Sequence, residues 1–199
     1  MPITIRDVRE HELDSVLALN NAAGPSILPM DAAKARFFWE HAEYFRVAEQ
    51  DGLITGFLAA FSQDAPHDSP NFLWFRERYE RFLYIDRIVI ARPRRGGGRG
   101  RAFYADVQSF AELRWPRLCC EVFLQTGNDP ALLFHGGFGF REVGQQVMAG
   151  TDIRAAMLMK ELCSHAWVAQ AYGDRLPDLP WTRARPLAGR GAGTRATGT

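Results

Sequence analysis

Lysine is nearly missing from this 199-residue chain: Lys34 and Lys160 stand among 24 basic residues, the rest arginine, against 23 Asp and Glu. The net charge is only +1, so no whole-chain field draws it to nucleic acid or an anionic membrane. Cysteine is scarce as well. Cys119, Cys120 and Cys163 form an odd set without metal-type spacing, and the five histidines are scattered; this argues against a zinc site or any other metal, and against a disulfide scaffold. No run approaches the roughly 18 uncharged apolar residues of a membrane span. The start of the chain is charged from Arg6 and lacks the apolar core of a signal peptide. The expectation is a cytoplasmic protein with neither a nucleic-acid nor a membrane partner.

What is present is a good core. With 47% hydrophobic residues, a chain of this length buries enough surface to fold as one domain without staples. Composition shifts once, near Cys163. Residues 164–199 carry a net +3, leaving −2 on 1–163, and from about 187 the chain holds almost nothing to bury. The reading is a domain over 1–163 and an extension over 164–199, partly docked through Trp167, Tyr172 and Trp181 and disordered from about 187.

Inside 1–163, strands and helices alternate. Residues 3–8 alternate as a strand, and Leu13, Val16 and Leu17 recur at helical spacing. Residues 32–41 read as a second helix capped by Asp31. Residues 44–49 and 53–61 flank Asp51-Gly52, a strong hairpin turn. A long connection, 63–78, carries Pro66, Pro70, Phe72, Trp74 and Phe75; Trp74 and Phe75 either wall a pocket or pack under their own loop. Residues 82–90 form the best strand, followed by a Gly/Arg loop and a helix to about Trp115. Residues 118–124 read as a strand, 130–135 as a short helix, and 138–148 with 154–162 as a closing pair. About seven strands and four helices give an α/β (α+β) sandwich on a mixed sheet.

The chemistry concentrates after residue 90. Arg95-Gly96-Gly97-Gly98-Arg99-Gly100-Arg101 joins an apolar strand to a helix whose apolar residues are Phe103, Val107, Phe110 and Ala111. Glycines bring successive N–H groups against an anion without a Cβ in the way, and the helix N-terminus adds unpaired donors. The arginines add full charges, so the segment reads as a pyrophosphate cradle. It lacks the Lys-Ser/Thr of a P-loop and follows the fourth strand, where a dinucleotide fold would place it after the first. Downstream come a strand, Asn128, a short helix with Phe134-His135, and Gly139-Phe140.

The Arg-x-x-Gly-x-Gly loop followed by strand–Asn–helix–Gly-Phe resembles the GNAT-type N-acetyltransferases over residues 3–163. The resemblance implies a mostly antiparallel sheet splayed between its fourth and fifth strands. It implies acetyl-CoA as cosubstrate, with the pantetheine arm on the backbone of Ile88, Val89 and Ile90, and Asn128 and Phe134 beside it. It also implies direct transfer of acetyl to a primary amine of a small molecule or peptide; the alternative is a non-catalytic acyl-CoA-binding sensor or assembly protein. A homodimer stays open. The loop is one residue shorter than usual between Pro93 and Arg95, and His135 stands where relatives carry Tyr. Strict strand alternation puts Tyr84, Asp86, Ile88 and Ile90 on one face. Asp86 is then the base or ammonium binder, or else a carboxylate paired with Arg87. His135 is the acid for the leaving thiolate or a packed helix-end histidine, with Tyr84 next in line as acid.

Overall fold

Asp51 and Gly52 take φ of 55° and 73°, the left-handed pair that a two-residue hairpin turn demands. They join β2 (Tyr44–Gln50) to β3 (Leu53–Ser62). This hairpin is part of a computed structural model that describes residues 2–24, 27–125, 129–148, 152–173, 175–177, 179, 183–185 and 187. The other strands are β1 (Thr4–Asp7), β4 (Leu83–Ile90), β5 (Arg117–Phe123), β6 (Arg141–Val147) and β7 (Arg154–Glu161). The sheet order is β1-β2-β3-β4-β5-β7-β6, antiparallel throughout except for β4 and β5.

Each face of the sheet carries its own core. On one side lie α1 (Leu13–Asn21), α2 (Ala32–His41) and α3 (Pro70–Arg76), which bury Val16, Phe38, Phe72 and Phe75 against Phe45, Phe57 and Phe61. On the other lie α4 (Arg99–Glu112) and α5 (Asp129–Gly137), with Phe103, Tyr104, Val107 and Phe110 packed on Leu58, Ile85 and Leu118. The expected Asp31 cap is present: its Oδ1 accepts from Lys34 N at 2.7 Å. A sixth helix, α6 (Ser164–Tyr172), lies in the extension, where His165 and Val168 are buried. Farther on, Arg185 is stacked 3.9 Å from the Trp39 ring centroid and donates to the Trp39 carbonyl. Trp181 and 188–199 lie outside the described residues.

Two features depart from the expectations. The described residues hold six α-helices where four were expected, because 63–78 contains α3 and the extension contains α6. Pro70 sits in the first turn of α3, where its missing N–H does no harm, and Phe72 with Phe75 supplies the buried side. The second departure is in β4. Arg87 pairs with Ala59 and Ile85 with Ala60, so Asp86 is an extra residue in the ladder, a β-bulge. The bulge reverses the alternation beyond it. Tyr84 and Val89 face the α1–α3 core while Ile88 and Ile90 pack toward α4, so the four residues expected on one face are split between two.

Candidate functional site

The parallel ladder of β4 and β5 holds only two pairs, Leu83 with Leu118 and Tyr84 with Cys119. Beyond them the strands separate around a cavity of about 680 Å³, lined from β4 by Ile85–Ile88, from β5 by Cys120–Phe123 and from α5 by His135. Its rims are 27–31 and 67–71. Ala91 N, one residue past β4, donates to Thr55 O of β3. Period-2 alternation therefore turns the backbone groups of Ile90 and Ile88 away from β3, toward the opening.

Glu121 lines this opening from β5, and no cation among the described residues is bonded to its carboxyl. Its Oε2 accepts from the Tyr84 hydroxyl at 2.6 Å and its Oε1 from Asn71 Nδ2 at 3.0 Å. Burial, aided by the Asp86 charge, pushes its carboxyl up to about 7 against these two hydrogen bonds. Such a group exchanges a proton near neutral pH. The Tyr84 phenol is pushed well above its usual range by burial and by the Glu121 charge, so it remains a donor.

Asp86 has the opposite character. Its Oδ1 accepts from Arg87 Nε at 2.6 Å, and its Oδ2 lies 2.9 Å from His67 Nε2. His67 Nδ1 accepts from Ser69 N at 3.1 Å, which leaves its proton on Nε2 for Asp86. Burial opposes the charge on Asp86, yet Arg87 and His67 win and hold it down at about 2. Arg87 continues the network to Asn20 Oδ1 at 2.8 Å and Leu28 O at 3.2 Å, fastening the 27–31 rim.

Past the end of β4 the glycine loop leads into α4. Gly96 and Gly98 have φ of 79° and 80° with open space where a Cβ would stand, and Gly98 is the N-cap of α4. Ala102 N is the donor to Gly98 O, so the amides that open the helix have no carbonyl of the preceding turn to bond. Arg95 and Arg101 are exposed. Arg99 is not: its guanidinium is buried on Thr55 Oγ1 at 3.1 Å, Arg94 O at 2.9 Å and Gln50 Oε1. Gly100 is needed for packing, because a Cβ there would lie 3.1 Å from Phe134.

A family model described as the Acetyltransferase (GNAT) family matches residues 13–140. The chain belongs to this family. Solved structures agree on the fold. The GNAT protein superposes on Ard1 from Thermoplasma volcanium with a TM-score of 0.65 at 18% identity, covering 81% of this chain and 99% of that one. The ribosomal-protein-S18-alanine N-acetyltransferase of Escherichia coli gives 0.62 at 16% identity, covering 81% and 94%. Arabidopsis thaliana Naa50, solved with the bisubstrate analogue CoA-Ac-MVNAL, gives 0.59 at 17%, covering 80% and 99%. A search of the curated proteins found no match.

Within this acetyltransferase, the residues singled out in the sequence do not all meet. Tyr84 and Asp86 reach the α1–α3 side of the opening, but the Asp86 carboxylate is neutralised by Arg87 and is the wrong group for a base near pH 7. His135 lines the cavity, yet burial lowers its pKa to about 4, and its Nδ1 lies 2.7 Å from the Tyr104 hydroxyl. Burial keeps it neutral, and its place against Tyr104 is that of the packed helix-end histidine, the second of the two expected readings. Arg99 is a structural guanidinium, so it cannot face an anion. Phe75 is fully buried and Trp74 packs on Gly144, so neither walls the cavity. Asn128 lies outside the described residues. Sequence reasoning missed Glu121 and Asn71. The available signal was a lone carboxylate in an apolar strand, Arg117–Phe123, beside the opening.

Proposed function

We propose that the protein is an acetyl-CoA-dependent N-acetyltransferase that moves acetyl directly to a primary amine of a small molecule or peptide. The observation that carries this reading is the wedge between β4 and β5, lined by the Glu121 carboxyl that Tyr84 and Asn71 hold. The cradle fits the donor. The amides opening α4, the positive-φ glycines 96 and 98, Gly97, and the exposed Arg95 and Arg101 suit a pyrophosphate. The gap-facing backbone of Ile88 and Ile90, with Val89 between them, suits an amide-bearing arm, and Phe134 closes the α4–α5 side. Bound there, acetyl-CoA supplies a thioester carbonyl as the electrophile.

This chain's own residues do the rest. An acceptor amine is mostly protonated at pH 7, since its pKa is about 10. Ionised Glu121 takes that proton, leaving the nitrogen lone pair free to attack the thioester carbonyl. As the C–N bond forms the C–S bond breaks, and the second proton shed by the nitrogen goes to the leaving thiolate. Tyr84 and Asn71 hold the carboxylate while it is charged. The N–H of Ile88, aimed into the gap, is placed to donate to a developing oxyanion. Asp86 and Arg87 keep the acceptor rim in place.

Thiol release from acetyl-CoA with a panel of amines and short peptides tests the reading, together with a thermal shift on acetyl-CoA alone. At ligand a hundred times Kd the stabilisation is about 2.7 kcal/mol. Neither shift nor release at millimolar acetyl-CoA would overturn it. A shift without release from any amine would leave a binding protein.

A further inference from the structure

The Glu121 carboxyl is held by side chains from two other elements, and one of them is itself held in turn. Asn71 Nδ2 donates to Glu121 Oε1, and Asn71 Oδ1 accepts from Gln146 Nε2 at 3.0 Å. Asn71 belongs to α3 and Gln146 to the edge strand β6. We propose that Asn71 and Gln146 are positioning residues for Glu121: a directed amide relay that aims its carboxylate into the wedge and sets the pH at which the enzyme becomes active. This rests on the reading of Glu121 as the proton acceptor.

Chemistry fixes the direction of the relay. An ionised carboxylate only accepts, so Asn71 must offer Nδ2 to Glu121 and its oxygen must look elsewhere. Asn71 is 1% exposed, so the oxygen needs a protein donor, and Gln146 supplies it. Gln146 thereby prevents the amide from turning over and presenting an oxygen to Glu121. The spacing of α3 and β6 is also specified. Gly144, two residues before Gln146, packs so closely on α3 that a Cβ would lie 2.6 Å from the Trp74 ring. A glycine at 144 lets β6 come near enough for its glutamine to reach.

Other charged or titratable groups face Glu121 or its ring of partners. From β4 these are Tyr84, Asp86 and Arg87, and from the segment before α3, His67, bonded to Asp86. Cys120 is its neighbour on β5, with a thiol that burial keeps protonated. Ser69 hydrogen-bonds Tyr84, so Tyr84 and Asn71 both bring supported donors to one carboxyl.

The test is kcat/KM against pH, with a carbon-13 titration of the Glu121 carboxyl as a readout that needs no turnover. Removing a hydrogen bond to the charged form raises the pKa of a carboxyl. Asn71→Ala should move the acid limb and the carbon-13 midpoint upward together by about one unit. Gln146→Glu should move them at least as far, since a carboxylate at 146 cannot donate, so the Asn71 amide turns over, and its charge also opposes ionisation of Glu121. The neutral Gln146→Ala reads the relay without added charge and should give a smaller upward shift. Gln146 is half-buried on an edge strand, so its variants test the relay even if Asn71→Ala fails to fold. Glu121→Gln separates the two levels. Should it keep both rate and acid limb, the role of Glu121 falls and the relay falls with it. Should it lose the limb while Gln146→Ala leaves the wild-type midpoint unmoved, the relay alone is overturned.

Discussion

Glu121→Gln should make the protein more resistant to unfolding in alkali than in acid, relative to wild type. The sign follows from the raised pKa of the folded state. A carboxyl at about 7 when folded and 4.5 when unfolded binds more protons in the native state between those values, so wild-type stability falls as pH rises through that window. One pKa unit corresponds to about 1.36 kcal/mol, and two-state titration of these values gives about 3 kcal/mol lost between pH 4.5 and pH 8. The amide removes the ionisation but brings a fault of its own: with its oxygen on Asn71 Nδ2, its NH2 meets the Tyr84 hydroxyl, which must then accept instead of donate. That fault is the same at both pH values, so it cancels in a difference of differences. Urea unfolding of both proteins at pH 4.5 and pH 8, with m unchanged, gives the quantity directly. The variant should gain about 2–3 kcal/mol over wild type on going from the lower to the higher pH. A gain below roughly 0.5 kcal/mol would mean that Glu121 titrates like a solvated carboxylate, and the base assignment would lose its physical ground.

The remaining expectations concern the cradle and the packing around it. Gly98→Val should weaken acetyl-CoA binding at least tenfold, because valine disfavours a φ of 80° and its branches obstruct a phosphate; isothermal titration reads it, and unchanged affinity would displace the cradle. Arg101→Ala should reduce acetyl-CoA affinity with little change in melting temperature. Arg99→Ala should do the reverse and lower stability by about 1–3 kcal/mol, since it strips donors from the Thr55 hydroxyl and the Arg94 carbonyl. His135→Ala should lower stability by about 2–3 kcal/mol by opening a cavity beside Tyr104. Its kcat–pH profile should keep every limb of the wild-type curve, and a lost alkaline limb would restore the histidine as an acid.

The sequence disclosed what local chemistry dictates. Asp51-Gly52 announced a hairpin because few other pairs tolerate two positive φ values in succession, and the glycine loop announced an anion site because its residue types are costly elsewhere. Helix α3 stayed hidden: at seven residues its period hardly repeats, and Pro66 and Pro70 read as loop residues. The bulge at Asp86 was equally invisible, since an extra residue in an apolar strand leaves no compositional mark. Missing it placed Tyr84 and Ile88 in one layer. Glu121 became conspicuous only once β5 parted from β4 and brought it against Tyr84 and Asn71, two partners far away in the chain.

The bulge in β4 has a bearing on how such a pocket could be reshaped. A regular strand sends neighbouring side chains to opposite layers, so a wall built from it offers every second residue. Here Asp86 and Arg87 are neighbours in sequence, and both serve the same side, one gripping His67 and the other reaching Leu28. One inserted residue thus gives this wall a density of polar groups that no series of substitutions on a regular ladder could match. Changes of length at this point, more than changes of residue type, would be the large moves open to descent or to directed evolution. Deleting Asp86 would mend the ladder, with Ile85 still opposite Ala60 and Arg87 opposite Ala59, and would remove the carboxylate from the wall while the rest of β4 kept its faces.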